Sequence, residues 1–226
     1  MIEKMIVYGG GGHAKTVIDL IRAIGRYEIV GIIDDEMALG TEVMGVPVIG
    51  ASSDLVRLRG EGVRCAVNAV GGIGNPSVRW AVFERLIEVD FDQPALVHPS
   101  AVIETSAVID DAVQVLAGTY ISSDSRVGFG TLLNAGVILS HDDLVGRCVN
   151  LSPGAALGGA VRIGDFTQVG MRATINSGVT IGRDVRIGNG ATVKDDVPDG
   201  TRIFAGAVWP DRVGRDGGRK TYRKIA

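Results

Sequence analysis

Residues 137–169 read VILSHDDLVGRCVNLSPGAALGGAVRIGDFTQV, and an aliphatic side chain returns at every sixth place: Leu139, Val145, Leu151, Leu157, Ile163 and Val169. Followed outward, the series runs without a miss from Val97 to Val193. A second series, two residues ahead of the first, is small or β-branched, as at Ala101, Val113, Thr131, Val149, Thr167 and Val185; Asp143 breaks it. A period of six suits neither a helix at 3.6 residues per turn nor a simple alternating strand. It suits a short strand, a tight corner and another short strand. Each corner asks for a residue that tolerates positive φ, which accounts for the Gly, Asn and Asp content. Three such units close a triangular coil of about eighteen residues, so the stretch forms about five coils. The large aliphatics point inward, the small partner fits the narrowing corner, and stability comes from stacking, because one coil cannot bury its own apolar face. The fold expected is a parallel β-helix; seventeen consecutive matches leave little room for a β-sandwich with coincidental spacing.

The 226 residues have room for a second domain before the repeat. Hydrophobic residues make up 46% of the chain but aromatics only 5%, an aliphatic core such as stacked coils require. Glycine, at 33 residues, is about twice ordinary usage. A net charge of −3 gives no electrostatic footprint for nucleic acid. Cys65 and Cys148 fall in different expected domains with no metal-ligand spacing and read as free thiols. The start, MIEKMIVYGG, runs straight into a strand, and no apolar run approaches a membrane span. A soluble, cytoplasmic protein is expected.

Residues 1–95 alternate strand and helix. Met5–Tyr8 is a short apolar strand, Gly9–Gly12 a glycine turn, and His13–Ile24 a helix stopped by Gly25. Tyr27–Ile33 is a second strand ending in Asp34-Asp35, Gly45–Gly50 an extended segment, and Ser53–Leu58 a short helix. Val63–Val70 is a third strand before Gly71-Gly72, and Pro76–Glu88 is a helix capped by Asn75 with Pro at its first position. The pattern predicts a small parallel sheet with helices on its faces. The β-helix domain spans 96–210; its repeat is expected to end at Asp195-Asp196 and Pro198, leaving Phe204–Pro210 as a last extended piece. A basic, solvated tail occupies 211–226.

A glycine turn between strand and helix is a phosphate-binding arrangement, because the backbone can approach the anion and the helix N-terminal amides point at it. Gly9, Gly11 and Ala14 satisfy G-x-G-x-x-A, with Asp34 about twenty residues later. The pattern serves a dinucleotide or a sugar nucleotide equally. The shortness of this half, against a full six-stranded dinucleotide fold, favours the smaller ligand.

The six-residue repeat resembles the hexapeptide, left-handed β-helix acyltransferases, and handedness is taken from that resemblance, since ordinary parallel crossovers are right-handed. Tyr8–Ala14, Ile33–Asp35, Gly45–Gly50 and the repeat together resemble one subfamily along nearly the whole chain. It comprises sugar-nucleotide acetyltransferases related to UDP-4-amino-sugar N-acetyltransferase and sialic acid O-acetyltransferase, and within it the perosamine N-acetyltransferases, which act on a GDP-linked 4-amino-4,6-dideoxy sugar. The resemblance implies a homotrimer with active sites between β-helices, acetyl-CoA along the groove, no metal, and the nucleotide held by the N-terminal domain. It assigns the sugar nucleotide to Gly9, Gly10, Gly11, Gly12, His13, Asp34, Asp35 and Gly71. To acetyl-CoA it assigns Asn150, Gly159, Met171 and Trp209. The family's catalytic His-acid pair falls on His141-Asp142.

His141 lies two residues past inward-facing Leu139, hence at a corner and pointing out of the coil; the Asp143 anomaly beside it marks a locally irregular corner. A near-neutral imidazole suits removal of a proton from an attacking amine, and a carboxylate at the other ring nitrogen fixes the tautomer. The thioester oxygen needs a backbone donor, which by family position is Gly159. Two departures stand out. Asn150 occupies the place of a second family histidine, and Ala205–Pro210 replaces a closing G-x-P-A-K/R segment, leaving Trp209 as a candidate stacking partner for adenine. Rival readings are weaker. A zinc enzyme on this β-helix needs three converging histidines, and only His13, His98 and His141 exist. An NAD-dependent oxidoreductase leaves the β-helix without a task. O-acetyl transfer and a non-enzymatic sugar-nucleotide sensor remain as alternatives.

Overall fold

A computed structural model describes residues 2 to 210 apart from Asn75. The expected cap at Asn75 and the basic tail 211–226 therefore lie outside the described residues. The N-terminal domain opens with β1 (Glu3–Tyr8), α1 (Gly12–Ile24) and β2 (Tyr27–Ile33). Next come β3 (Glu42–Val43), β4 (Val46–Gly50), and α2 (Leu55–Gly60) behind a 3-10 turn. The domain closes with β5 (Cys65–Asn68) and α3 (Pro76–Glu88). The sheet order is β3-β4-β2-β1-β5. The extended segment at 45–50 is thus a sheet strand, parallel to β2. The sheet is not wholly parallel, because β3 runs antiparallel to β4 across the Met44-Gly45 turn. α1 presents Ala14, Val17, Ile18 and Ile21 to the sheet, at helical spacing, and ends where Gly25 takes φ 68°.

From Leu96 the chain winds into a left-handed parallel β-helix whose three faces are parallel sheets of seven, seven and five two-residue strands. Leu96–Val97 opens the first face, Val102–Ile103 the second and Val108–Ile109 the third. Strands one coil apart pair eighteen residues on, as Leu132↔Asn150 and Leu144↔Arg162. The inward aliphatics form one continuous core, with Val115, Ile121, Leu133, Leu139 and Leu151 fully buried. Each is worth about 1.5–3 kcal/mol against exposure. Every sixth residue from Ala112 to Gly190 is the second residue of a corner and takes φ between 51° and 75°.

The coil does not end at Val193. Two residues are missing from one repeat, so the inward series steps by four to Val197 and then resumes at Ile203 and Trp209. Val197 bridges to Ile181, Ile187 pairs with Ile203, and Val193 pairs with Trp209. The expectation that the repeat ends at Asp195–Pro198 was wrong, because a four-residue step breaks the period without breaking the ladder.

The N-terminal domain docks on the first face and on the corner between the third and first faces. Leu96, Leu116 and Leu132 leave the β-helix outward to join the core beneath α1. At the corner, Phe83 and Trp80 of α3 pack edge-on against Phe129, and Trp80 also against Phe166, over Ala112 and Cys148. Arg79, fully buried, donates to the carbonyls of Asn68, Val70 and Gly130. Burial lowers its pKa to about 10, which still leaves the charge in place. Phe83 is the fully buried centre of this seam. Phe83→Ala should cost about 3–5 kcal/mol. Calorimetry should show the N-terminal domain melting earlier, ahead of a β-helix transition that stays where it was.

Candidate active site

His141 and Asp142 form the corner between the second and third faces, with Asp142 in the left-handed conformation at φ 62°. That backbone turns both side chains outward, and Asp142 Oδ2 lies 2.7 Å from His141 Nδ1. With Nδ1 occupied by a carboxylate, Nε2 is the free nitrogen. It lies over Gly159 of the next coil, where an added Cβ would stand 2.6 Å from it. A side chain at 159 would therefore push the exposed ring away from this amide. Among the described residues the Gly159 N–H has no acceptor, whereas its carbonyl takes the Gly178 N–H at 2.9 Å. The exposed pair and a bare amide stand side by side, the two elements expected of an acyl-transfer site.

Beneath the corner, Asp143 turns inward and is fully buried, with Oδ1 accepting the Val161 N–H at 2.8 Å. Desolvation pushes its pKa up to about 7, against the pull of the Val161 and Ser140 N–H groups. The expected irregularity is present: the second-face strand Ile138–Leu139 pairs with its successor only through Ile138↔Ala156.

In the N-terminal domain the glycines divide into two kinds. Gly9, at φ 102°, donates to Ile33 O, and Gly10 donates to Asp34 Oδ2 at 2.7 Å with Met37 packed where a side chain would go. Gly11 and Gly12, by contrast, have open space around them at the N-terminus of α1. Those two leave amides open at a helix N-terminus, the arrangement that suits an anion. Asp34 is not a free carboxylate: its other oxygen accepts the Glu36 and Met37 N–H groups. Asp35 is held by Tyr8, Ser52 and Arg85. Both were expected to contact the nucleotide; here they brace the turn and the strand ends, and the Asp35 side chain remains 44% exposed.

His13 was expected to face the same ligand. Its Nε2 lies 2.8 Å from Gln114 Oε1 on the β-helix. Gln114 Nε2 donates to Asn68 O, which orients the amide and makes His13 Nε2 the donor. Burial drives the His13 pKa down to about 4, so the ring is neutral at physiological pH. Gly71 packs beside His13, and Gly72 lies against Asn150. Gly74 exchanges hydrogen bonds with Gln168 and accepts from Arg186. Gln114, Asn150, Gln168 and Arg186 lie in one eighteen-residue column, interrupted by Leu132, just before the inward aliphatic of the first face. That polar column was legible as a seam and was missed.

Of the acetyl-CoA candidates, Gly159 lies beside His141, and the other three do not converge on it within one chain. Asn150 is buried on the first face, bonded to Ser152 and Asn134. Met171 is exposed on the corner between first and second faces. Trp209 sits at the inward position below Val193, packs on the core and donates to Asp196 O. Its place is that of a core cap, not of the free stacking surface expected.

Two family models match: the PglD N-terminal domain over residues 4–86, and the bacterial transferase hexapeptide (six repeats) over residues 160–195. Among solved structures, a point mutant of perosamine N-acetyltransferase from Caulobacter crescentus, in complex with CoA and GDP-perosamine, is 33% identical over 96% of this chain and 99% of that one, with a TM-score of 0.85. The acetyltransferase domain of PglB from Neisseria gonorrhoeae FA1090, in complex with acetyl coenzyme A, is 33% identical over 92% and 98%, with a TM-score of 0.83. UDP-N-acetylbacillosamine N-acetyltransferase of Bacillus subtilis (strain 168) is 33% identical over 120 residues, 51% of this chain; the match spans about half, 52%, of that curated relative.

The raised pKa of Asp143 makes a solution prediction. The folded chain holds this proton more tightly than the unfolded chain, whose carboxyl titrates near 3.8. The resulting stability is complete below about pH 4 and is lost as pH rises through about 7. Asp143→Asn should flatten the melting temperature across that window in thermal scans, relative to wild type.

Proposed function

We infer that this chain, which belongs to the hexapeptide-repeat sugar-nucleotide N-acetyltransferases, moves the acetyl group of acetyl-CoA onto the amino group of a nucleotide-linked amino sugar. The observation that carries the reading is the His141-Asp142 pair set over the open amide of Gly159. The preferred acceptor is a GDP-linked 4-amino-4,6-dideoxy sugar of the perosamine type, the ligand named for the relative matched along nearly its whole length. A UDP-linked amino sugar stands second.

The neutral amine attacks the thioester carbonyl. As the C–N bond forms, the surplus ammonium proton passes to His141 Nε2, while Asp142 at Nδ1 keeps the ring in the right tautomer and steadies the imidazolium. The carbonyl oxygen, now negative, is met by the Gly159 N–H. Collapse breaks the C–S bond and CoA leaves as a thiolate, which needs no strong acid. The diphosphate is held by the amides of Gly11 and Gly12 at the N-terminus of α1. The glycine turn keeps its shape because Asp34 grips Gly10.

The active unit is a homotrimer. Apolar side chains stand exposed on the two faces flanking the His141 corner: Val102, Ile138 and Val208 on the second, Val108 on the third. A neighbouring chain packed there would bring its own corner to His141, supplying the CoA contacts that one chain leaves distant. Among the described residues no helix is long and apolar enough to cross a membrane. Action in the cytoplasm is part of this proposal.

Thiol release from acetyl-CoA, measured across a panel of amino-sugar nucleotides, tests the activity, and no release with any of them would refute it. His141→Ala should lower kcat by about 10²–10⁴. Higher pH should partly restore it by supplying more neutral amine. Sedimentation should give three chains per particle, and a fully active monomer would exclude the shared site.

A further inference from the structure

The corners of the coil are laced by an inward Ser/Thr ladder. The hydroxyl of Ser125 donates to Ser140 O, that of Thr131 to Gly146 O and that of Thr167 to Gly182 O, each fifteen residues on. Each hydroxyl also accepts the N–H eighteen residues on, from Asp143, Val149 and Val185 in turn. Asp143 occupies this position in its own coil and takes the Val161 N–H in the same manner. It differs in two ways. Its second oxygen, Oδ2, is buried and has no hydrogen-bond partner among the described residues. The Ser140 N–H also leaves the ladder: at the equivalent points Ser122, Asn134 and Gly158 this group bonds to the next coil, whereas here, among the described residues, it makes no such bond and its electrostatic pull falls on the Asp143 carboxyl. Leu157 O, the acceptor thus vacated, receives the Ser140 hydroxyl at 2.7 Å. The departure from the regular ladder falls on the residue immediately before His141.

We propose that Asp143 is a positioning residue for acyl transfer: from inside the coil its carboxyl holds the 140–142 corner off the regular ladder and so sets the His141 ring over Gly159. The proposal rests on the reading of His141 as the base. A buried carboxyl without a full set of partners is costly where a threonine would satisfy every group. Its place is accounted for by the geometry it imposes on the corner next to it. The charged groups that act on Asp143 are His141 and Asp142; Ser125 and Val161, stacked on it from the neighbouring coils, are neutral.

Asp143→Thr tests this, because threonine is the ladder's own residue and should fold. The Asp143→Thr variant is expected to keep or raise the melting temperature and to lower kcat about tenfold or more. The KM values for acetyl-CoA and sugar nucleotide should stay within about twofold, since the corner and not either binding surface is disturbed. Asp143→Ser serves if the larger side chain does not fit. The deciding measurement is the cycle with His141→Ala. In that background Asp143→Thr should change kcat by less than about twofold, because the ring it positions is gone. Equal losses in both backgrounds, or wild-type kcat in Asp143→Thr alone, would overturn the positioning role while leaving His141 as base. Wild-type kcat in His141→Ala alone would remove the base, and this proposal with it.

Discussion

One left-handed residue every six positions is the constraint on which the rest of the molecule depends. It turns the chain through a corner, and three corners bring it back eighteen residues on, so that each strand pairs with the next coil. For residues other than glycine this conformation costs about 1–2 kcal/mol. Where Ala112, Cys148 and Phe166 take it, their side chains belong to or touch the seam under α3, and burial there offsets the strain. Where Asp142 takes it, no seam covers the corner. The side chains stand in solvent, and there the proposed chemistry takes place.

The second organising element is the seam between the domains. Arg79 is a buried cation whose guanidinium donates to backbone carbonyls, two from the end of β5 and one from the β-helix corner. His13, Gln114 and Asn68 form a second connection, from the first turn of α1 through the β-helix to β5. These links hold the open amides of Gly11 and Gly12 in register with the coil. On the proposed function, the distance from nucleotide to reacting amine is a property of this frame, the condition under which an oriented amine gains most over one free in solution.

In the His141 corner, exposure and burial divide the work. His141 and Asp142 are solvent-facing, as the proposed role of the imidazole toward a substrate amine requires. Asp143, the next residue along, is sealed in the core with its pKa raised to about 7 by desolvation. Three consecutive polar residues thus hold two environments, because successive residues leaving a corner point alternately out of and into the coil.

The sequence by itself determined the β-helix, its inward residues and the outward corner of His141, because a six-residue period admits one folded solution that buries every sixth side chain. It determined most of the strand and helix order of the first half, through apolar periodicity and glycine punctuation, but not the antiparallel strand Glu42–Val43. Only the tertiary structure decided how the polar groups are used. Asp34, Asp35 and His13 carry the right chemistry for a nucleotide, and each also bonds a group distant in sequence: Gly10, Tyr8 and Gln114 in turn. Trp209 and the final coil were hidden by a two-residue deletion, because periodicity is lost at a phase shift while hydrogen-bond pairing is not. Hydrophobic spacing is a local signal that repeats, whereas the partner of a carboxylate or an imidazole is fixed only when remote segments meet.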